Sequence, residues 1–208
     1  MSDKVFIYWD NSNIYISARE AAAEREGDGA YERARVHFRN MLKLAHADRP
    51  IGKAYAIGSV PPELRHVWNR LEGEGVEVEL LERGQDSGRE QGVDSTMQTR
   101  MLRDAMDYNG DPGVAVLLTG DGKGFYDGIG FHADIERMHR KGWRIEVLSW
   151  RHSCNVRMRK WAEDNGLFVA LDDFYDSVTF LERPAPGRHI AEPRYAADID
   201  MARRKMLK

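Results

Sequence analysis

Cysteine is almost absent from this chain. Cys154 is the only one in 208 residues, which excludes an internal disulfide and a thiolate-built zinc site. Apolar runs are short, and none approaches the ~20 residues that a membrane-crossing helix needs. No membrane partner is therefore expected. The seven histidines (37, 46, 66, 132, 139, 152 and 189) are scattered and show no H-E-x-x-H spacing, so a zinc centre is not expected. A surplus of one charge is also lacking: 31 basic residues stand against 34 acidic ones, for a net charge of -3. Bulk charge does not advertise a polyanion partner. It is compatible with one, because an acidic metal site can sit inside a locally basic rim. The opening MSDKVFIYWD lacks a signal-peptide pattern, and a reducing, cytoplasmic setting is expected. There is no internal repeat and no low-complexity segment.

What is present is a regular alternation. Val5 to Asn13, VFIYWDNSN, is a short apolar run that stops in a carboxylate, two amides and a hydroxyl. Such a run reads as a buried strand, here Lys4–Asp10, followed by a helix from Ile14 to about Arg25. A second helix is predicted over Tyr31–Ala47, with Phe38, Met41, Leu42 and Ala45 at helical spacing. Strands follow at Ile51–Ser59 and Val76–Glu82, around a helix opened by Pro61-Pro62. A long polar loop, Arg83–Gly92, leads into a helix over Val93–Tyr108. Val114–Thr119 is apolar throughout and reads as a central parallel strand. A glycine-rich loop spans Gly120–Gly130, then a helix Phe131–Lys141, a strand Arg144–Ser149 and a helix Cys154–Asp164. A short strand at Phe168–Leu171 and a helical turn at Asp172–Tyr175 complete the series.

Strands alternating with helices predict an α/β fold, a mostly parallel sheet of five or six strands covered on both faces. Residues 1–183 are expected to form that domain. Residues 184–208 are expected to be an arm, extended or helical from about Ala196, that packs on another subunit as a homodimer or moves freely.

In such sheets ligands bind beyond the carboxyl ends of the strands, where the winding reverses. The commonest order places strand one beside the strand Val114–Thr119, and so Asp10 beside Asp121. Asp94 opens the helix that follows the polar loop, where a helix N-terminus favours negative charge. Three converging carboxylates repel one another, and a hard cation relieves that repulsion. Mg²⁺ or Mn²⁺ suits an all-oxygen ligand set. Asn11 and Asn13 are placed to bind a phosphate or a metal-bound water. Each Asp taken singly reads more simply as a turn or capping residue. Arg151, His152, Arg157, Arg159 and Lys160 form a basic stretch past the fifth strand, and Arg83 and Arg89 lie before Asp94. These side chains could track a phosphate backbone or form a solvated helix face. Trp9 reads as core, and Cys154 as a buried bystander.

Asp10-Asn11-Ser12-Asn13, Gly92-Val93-Asp94 and Thr119-Gly120-Asp121-Gly122, in this order and in these strand contexts, resemble the NYN domain family. That family lies within the PIN-like nuclease group and includes LabA-like bacterial proteins. The likeness runs from about Val5 to Phe180. It implies a Rossmann-like PIN-type fold and a Mg²⁺- or Mn²⁺-dependent nuclease, usually acting on RNA, and a metal-dependent endoribonuclease is the first expectation. Asp10, Asp94 and Asp121 match the family's acidic metal positions, and Asn13 matches the asparagine of its first motif. The family commonly reads Gly-Asp-Gly-Asp-Phe where this chain has Gly120-Asp121-Gly122-Lys123-Gly124-Phe125. Lys123 thus replaces an acidic residue and is expected to grip the scissile phosphate. Asp127 is a candidate fourth carboxylate. Gln91 stands where a basic residue often precedes Gly-Val-Asp. A non-catalytic nucleic-acid- or protein-binding module on the same fold is the rival expectation, motivated by Lys123. A phosphohydrolase acting on small phosphates is a third.

Overall fold

The computed structural model describes residues 3–58, 65–80, 93–120, 128–184 and 192–207, with Asp28, residues 65–67 and residues 93–94 described by backbone alone. The first half runs β1 (Val5–Asp10), α1 (Asn11–Glu26), α2 (Asp28–Arg33), β2 (Ala34–Val36), α3 (Phe38–His46), β3 (Ile51–Gly58), α4 (Arg65–Gly73) and β4 (Glu77–Leu80). The second runs α5 (Val93–Asp107), β5 (Val114–Leu118), α6 (Phe131–Arg140), β6 (Arg144–Ser149), α7 (Val156–Asn165), β7 (Leu167–Ala170), α8 (Tyr175–Val178) and β8 (Thr179–Leu181). Among the described residues, no helix is long and apolar enough to cross a membrane.

β1 is buried along its whole length, as its unbroken apolar character requires. It pairs in parallel with β3 on one side and β5 on the other, so that Ile7 lies opposite both Ala54 and Val116. The full sheet has the order β4-β3-β1-β5-β6-β7, every neighbouring pair parallel. The chain winds outward through β3 and β4, then crosses back to wind through β5, β6 and β7. The reversal falls between β1 and β5, as the sequence predicts.

Alternate residues of β1 feed two apolar layers. Val5, Ile7 and Trp9 point into one layer with residues of α1, α3 and α4. Phe6 and Tyr8 point into the other with residues of α5, α6 and α7. Trp9 is wholly buried and meets Phe38 edge-on at 5.4 Å, which confirms it as core. Beneath the sheet, the Tyr8 hydroxyl donates to Asp104 at 2.8 Å, and Lys53 pairs with the same carboxylate. Burial first, and the Asp104 charge second, push the Tyr8 phenol well above its ordinary pKa.

The single helix expected over residues 31–47 is three elements. The helical spacing of Phe38, Met41, Leu42 and Ala45 belongs to α3 alone. Ala34 and Val36 lie extended because they pair antiparallel with Leu181 and Thr179 of β8. His37 then caps a fresh helix, its Nδ1 accepting from the Asn40 amide at 3.2 Å. The first helix also begins earlier than Ile14. Asp10 caps it, accepting from the Asn13 amide, so Asn11 already lies in its first turn.

The described C-terminal residues pack against the same side of the fold as the first apolar layer. Leu181 and Arg194 exchange backbone hydrogen bonds, and Ile199 and Leu207 pack on the first apolar layer. In place of a terminal helix from Ala196 there is one 3-10 turn, Met201–Arg203. The adjoining Arg204 is buried. Its guanidinium donates to Glu146 of β6 at 2.6 Å and to the Leu44 carbonyl at 3.0 Å. Arg49 makes two further bonds to Glu146, each 2.8 Å. The terminal stretch therefore joins the core of its own chain.

Candidate metal centre

Asp10 ends β1 at the winding reversal and is 0% exposed. The Asn13 amide donates to its Oδ1 at 3.2 Å, the Asn13 side-chain amide donates to Oδ2, and the Thr119 hydroxyl donates to Oδ2 at 3.3 Å. Three donors and the N-terminus of α1 thus direct positive potential at one carboxylate. Thr119 reaches it because β1 and β5 are neighbours, with Trp9 opposite Leu118. Asn13 orients Asp10 rather than projecting alone into the crevice. Asn11 is 8% exposed, and its buried Oδ1 has no hydrogen-bond partner among the described residues. An orphan oxygen beside a held carboxylate fits a hard cation or its water shell.

Gly120 shows how tightly the next segment starts. A Cβ there would sit 2.9 Å from the Ser153 hydroxyl and 3.1 Å from that of Ser17. The chain thus leaves β5 between α1 and the turn after β6. It returns at Gly128 and Gly130, whose φ angles of 78° and 101° favour glycine. The Gly130 amide donates to Gln98 Oε1 at 3.3 Å, and Arg137 donates to the Gly128 carbonyl. Asp134 holds Arg137 at 2.8 Å. Gln98 lies one helical turn after Asp94 on α5. The first turns of α5 are therefore tied to the exit of the glycine-rich loop, whose start lies beside Asp10.

The sequence-predicted residues fall into three groups. Asp10, Asn11 and Asn13 are gathered at the reversal. Asp94 is placed by backbone in the first turn of α5, while Asp121, Lys123, Asp127 and Arg89 lie outside the described residues. Arg151 and Arg157 are separated from each other. Arg151 donates to Asp173 at 2.8 Å, and its backbone amide donates to Asp172. The Arg151 guanidinium, with lesser contributions from Arg203 and Lys205, holds the Asp173 carboxyl below its ordinary pKa. Arg157 is exposed in the first turn of α7, and its charge reaches His132 of α6. Arg159, two residues on, instead reaches the Arg151 carbonyl at 3.5 Å. The basic stretch is therefore split between the turn after β6, which holds Arg151 and His152, and α7, which holds Arg157, Arg159 and Lys160. Among the described residues, no three His, Cys, Asp or Glu side chains cluster as a metal site; the described part contributes one carboxylate and neutral oxygens.

Ser17, Gln98, Arg137 and Ser153 were not among the sequence candidates. The hydrophobic pattern carries no signal for them, although Gln98 at four residues from Asp94 is readable as a same-face neighbour. Cys154 is buried, and burial pushes its thiol up to about 11, as suits a bystander.

No curated protein matches the sequence significantly. Among solved structures, a crystal structure of a protein of unknown function from Vibrio parahaemolyticus shares the fold. It is 22% identical, with a TM-score of 0.59, over 83% of this chain and 94% of that one. The NYN domain model matches residues 4–164, a span that holds every strand of the six-stranded sheet except β7. With the winding order, the reversal-point carboxylate and that match together, the chain belongs to the NYN domain family and has its PIN-like fold.

Proposed function

We propose that this NYN protein is a cytoplasmic, metal-dependent endoribonuclease that hydrolyses RNA at the carboxyl edge of β1 and β5. The observation that carries the proposal is the Asp10 carboxylate, wholly buried, held by three donors and placed where the sheet's winding reverses. Asp10, Asp94 and Asp121 would hold Mg²⁺ or Mn²⁺, with Asp127 a further carboxylate and the Asn11 amide an oxygen facing the shell. Bound there, the ion would supply an acidic water and positive charge for a reacting phosphate. Asn13 and Thr119 hold Asp10 in one orientation, so the carboxylate need not reorganise when substrate arrives. Lys123 would contact the scissile phosphate, and Arg89, Arg151 and Arg157 the flanking strand.

Melting temperature followed during a Mn²⁺ titration tests the metal claim, since a ligand that binds only the folded state must raise it. A rise in wild type that disappears in Asp10→Asn is expected. The rival is a non-catalytic binding module, favoured by the lysine at 123 where the family commonly has an acidic residue. Its signature is no rise at millimolar Mn²⁺ in either wild type or Lys123→Asp.

A further inference from the structure

Among the described residues, strand β7 is an edge of the sheet, paired only with β6. Along its open side runs a groove of about 370 Å³. Four cations line it from three separate parts of the chain: Arg151 after β6, Arg159 on α7, and Arg203 and Lys205 from the C-terminal stretch. Two carboxylates, Asp173 and Glu163, face them. Arg151 is engaged by Asp173, and the charges of Arg203 and Lys205 also reach that carboxylate. Asp172 also lies 3.9 Å from the Arg151 guanidinium, so four cations stand against three carboxylates and leave a local excess of one positive charge, in a chain whose net charge is -3.

The groove adjoins the metal centre through one turn. Ser153 of that turn lies against Gly120, which opens the glycine-rich loop. Arg151 of the same turn lines the groove. Trp150 pins the turn to α1, its Nε1 donating to the Ile14 carbonyl at 3.2 Å. Arg204 fixes the other wall. Buried against Glu146 and the Leu44 carbonyl, it leaves its two neighbours, Arg203 and Lys205, exposed on the groove side. The C-terminal stretch is thus anchored by one buried arginine and presents the cations on either side of it.

We infer that this groove binds the phosphodiester backbone of single-stranded RNA extending from the cleavage site, with Arg203 and Lys205 as the contacts added by the C-terminal stretch. The inference rests on the ribonuclease proposal. Guanidinium forks match phosphate oxygens. A groove lined by cations from three parts of the chain suits a chain of anions better than one small anion. Asp173 holds the guanidinium of Arg151 in place until phosphate arrives.

The test is fluorescence anisotropy of a short labelled single-stranded RNA in EDTA, with KCl varied from roughly 50 to roughly 300 mM. Three full-length proteins are compared: wild type, Arg203→Ala/Lys205→Ala, and Lys43→Ala/Lys141→Ala, which removes two exposed cations outside the groove. On single strands each lost phosphate contact lowers the slope of log affinity against log salt by about 0.7. The groove variant is expected to lose about 1.4 in slope and bind roughly tenfold or more weakly at 0.1 M salt, with its melting temperature unchanged. The control pair should keep the wild-type slope. If both variants lose slope alike, binding is diffuse and the groove is overturned. Wild-type slope in the groove variant, with RNA cut normally in Mn²⁺, overturns the groove and leaves the ribonuclease standing. A wild type that neither binds nor cuts RNA overturns both. Binding of polyglutamate instead, with the same two-cation dependence, would assign the groove to an acidic protein partner.

Discussion

Replacing Glu146 by Gln should be among the most destabilising single changes in this chain, although it removes only a charge. Glu146 lies in the middle of β6 and, like Arg204, has no exposed side-chain surface; Arg49 is 10% exposed. The carboxylate accepts two bonds from Arg49 and one from Arg204. A glutamine offers one acceptor oxygen and turns an amide donor toward a guanidinium. Arg204 cannot swing to water without undocking the C-terminal stretch. Its burial already lowers the guanidinium pKa, with Glu146 opposing that shift. Breaking one side of a buried ion pair costs about 3–5 kcal/mol. For a domain of this size, 1 kcal/mol corresponds to roughly 2–4 °C, so the melting temperature should fall by about 6–20 °C. The assay is thermal unfolding by circular dichroism in EDTA, which removes any contribution from metal. Glu146→Leu/Arg204→Met removes the pair together and should recover more than half of the loss, because Arg49 can reach solvent. Trypsin should also cut near Arg203–Lys205 faster in Glu146→Gln. A fall below about 2 °C, or a double variant as unstable as the single one, would refute the claim that this triad anchors the C-terminal stretch.

Gly120→Ala should press on the hydroxyls of Ser153 and Ser17; both can give by tenths of an ångström, so the stability cost should be about 1 kcal/mol. RNA cleavage should fall far more than stability does, measured on the same preparation, because the next residue is Asp121. Cys154 should resist iodoacetamide in the native protein near neutral pH and react once unfolded, as followed by mass spectrometry. Its folded pKa of about 11 lies above the reference value of 9.0, so the unfolded chain loses the proton first. Stability from this group is complete below about pH 9 and is lost as pH rises toward 11, by up to about 2–3 kcal/mol. Cys154→Ala should flatten the melting curve's decline across that window.

Residues apolar on both faces made the central strands legible. Val5–Asp10 and Val114–Leu118 have no polar face to show, and two such runs in a winding chain imply neighbours at a reversal. That pairing brings Thr119 to Asp10, two residues before the Asp121 expected there, which lies outside the described residues. The stretch 31–47 misled because its last turns do have helical spacing, while Ala34 and Val36 answer to a partner strand about 145 residues away. A local pattern carries no trace of that partner. Residues 192–207 lack alternation and look like an arm. What fixes them is the meeting of Arg204 with Glu146 across the fold. The separation of Arg157 from Arg159, by contrast, was readable, since residues two apart on a helix point to opposite sides.

The measurement that most directly tests the central claim is cleavage of labelled RNA and matching single-stranded DNA in Mn²⁺, Mg²⁺ or EDTA, by wild type and Asp10→Asn side by side. Asp10→Asn retains a side-chain oxygen to cap α1, so it should fold and melt in EDTA close to wild type. RNA cut by wild type, only with metal, and not by Asp10→Asn is the expected result. Cutting that survives EDTA, or equal cutting by Asp10→Asn, would contradict a metal-dependent nuclease centred on Asp10.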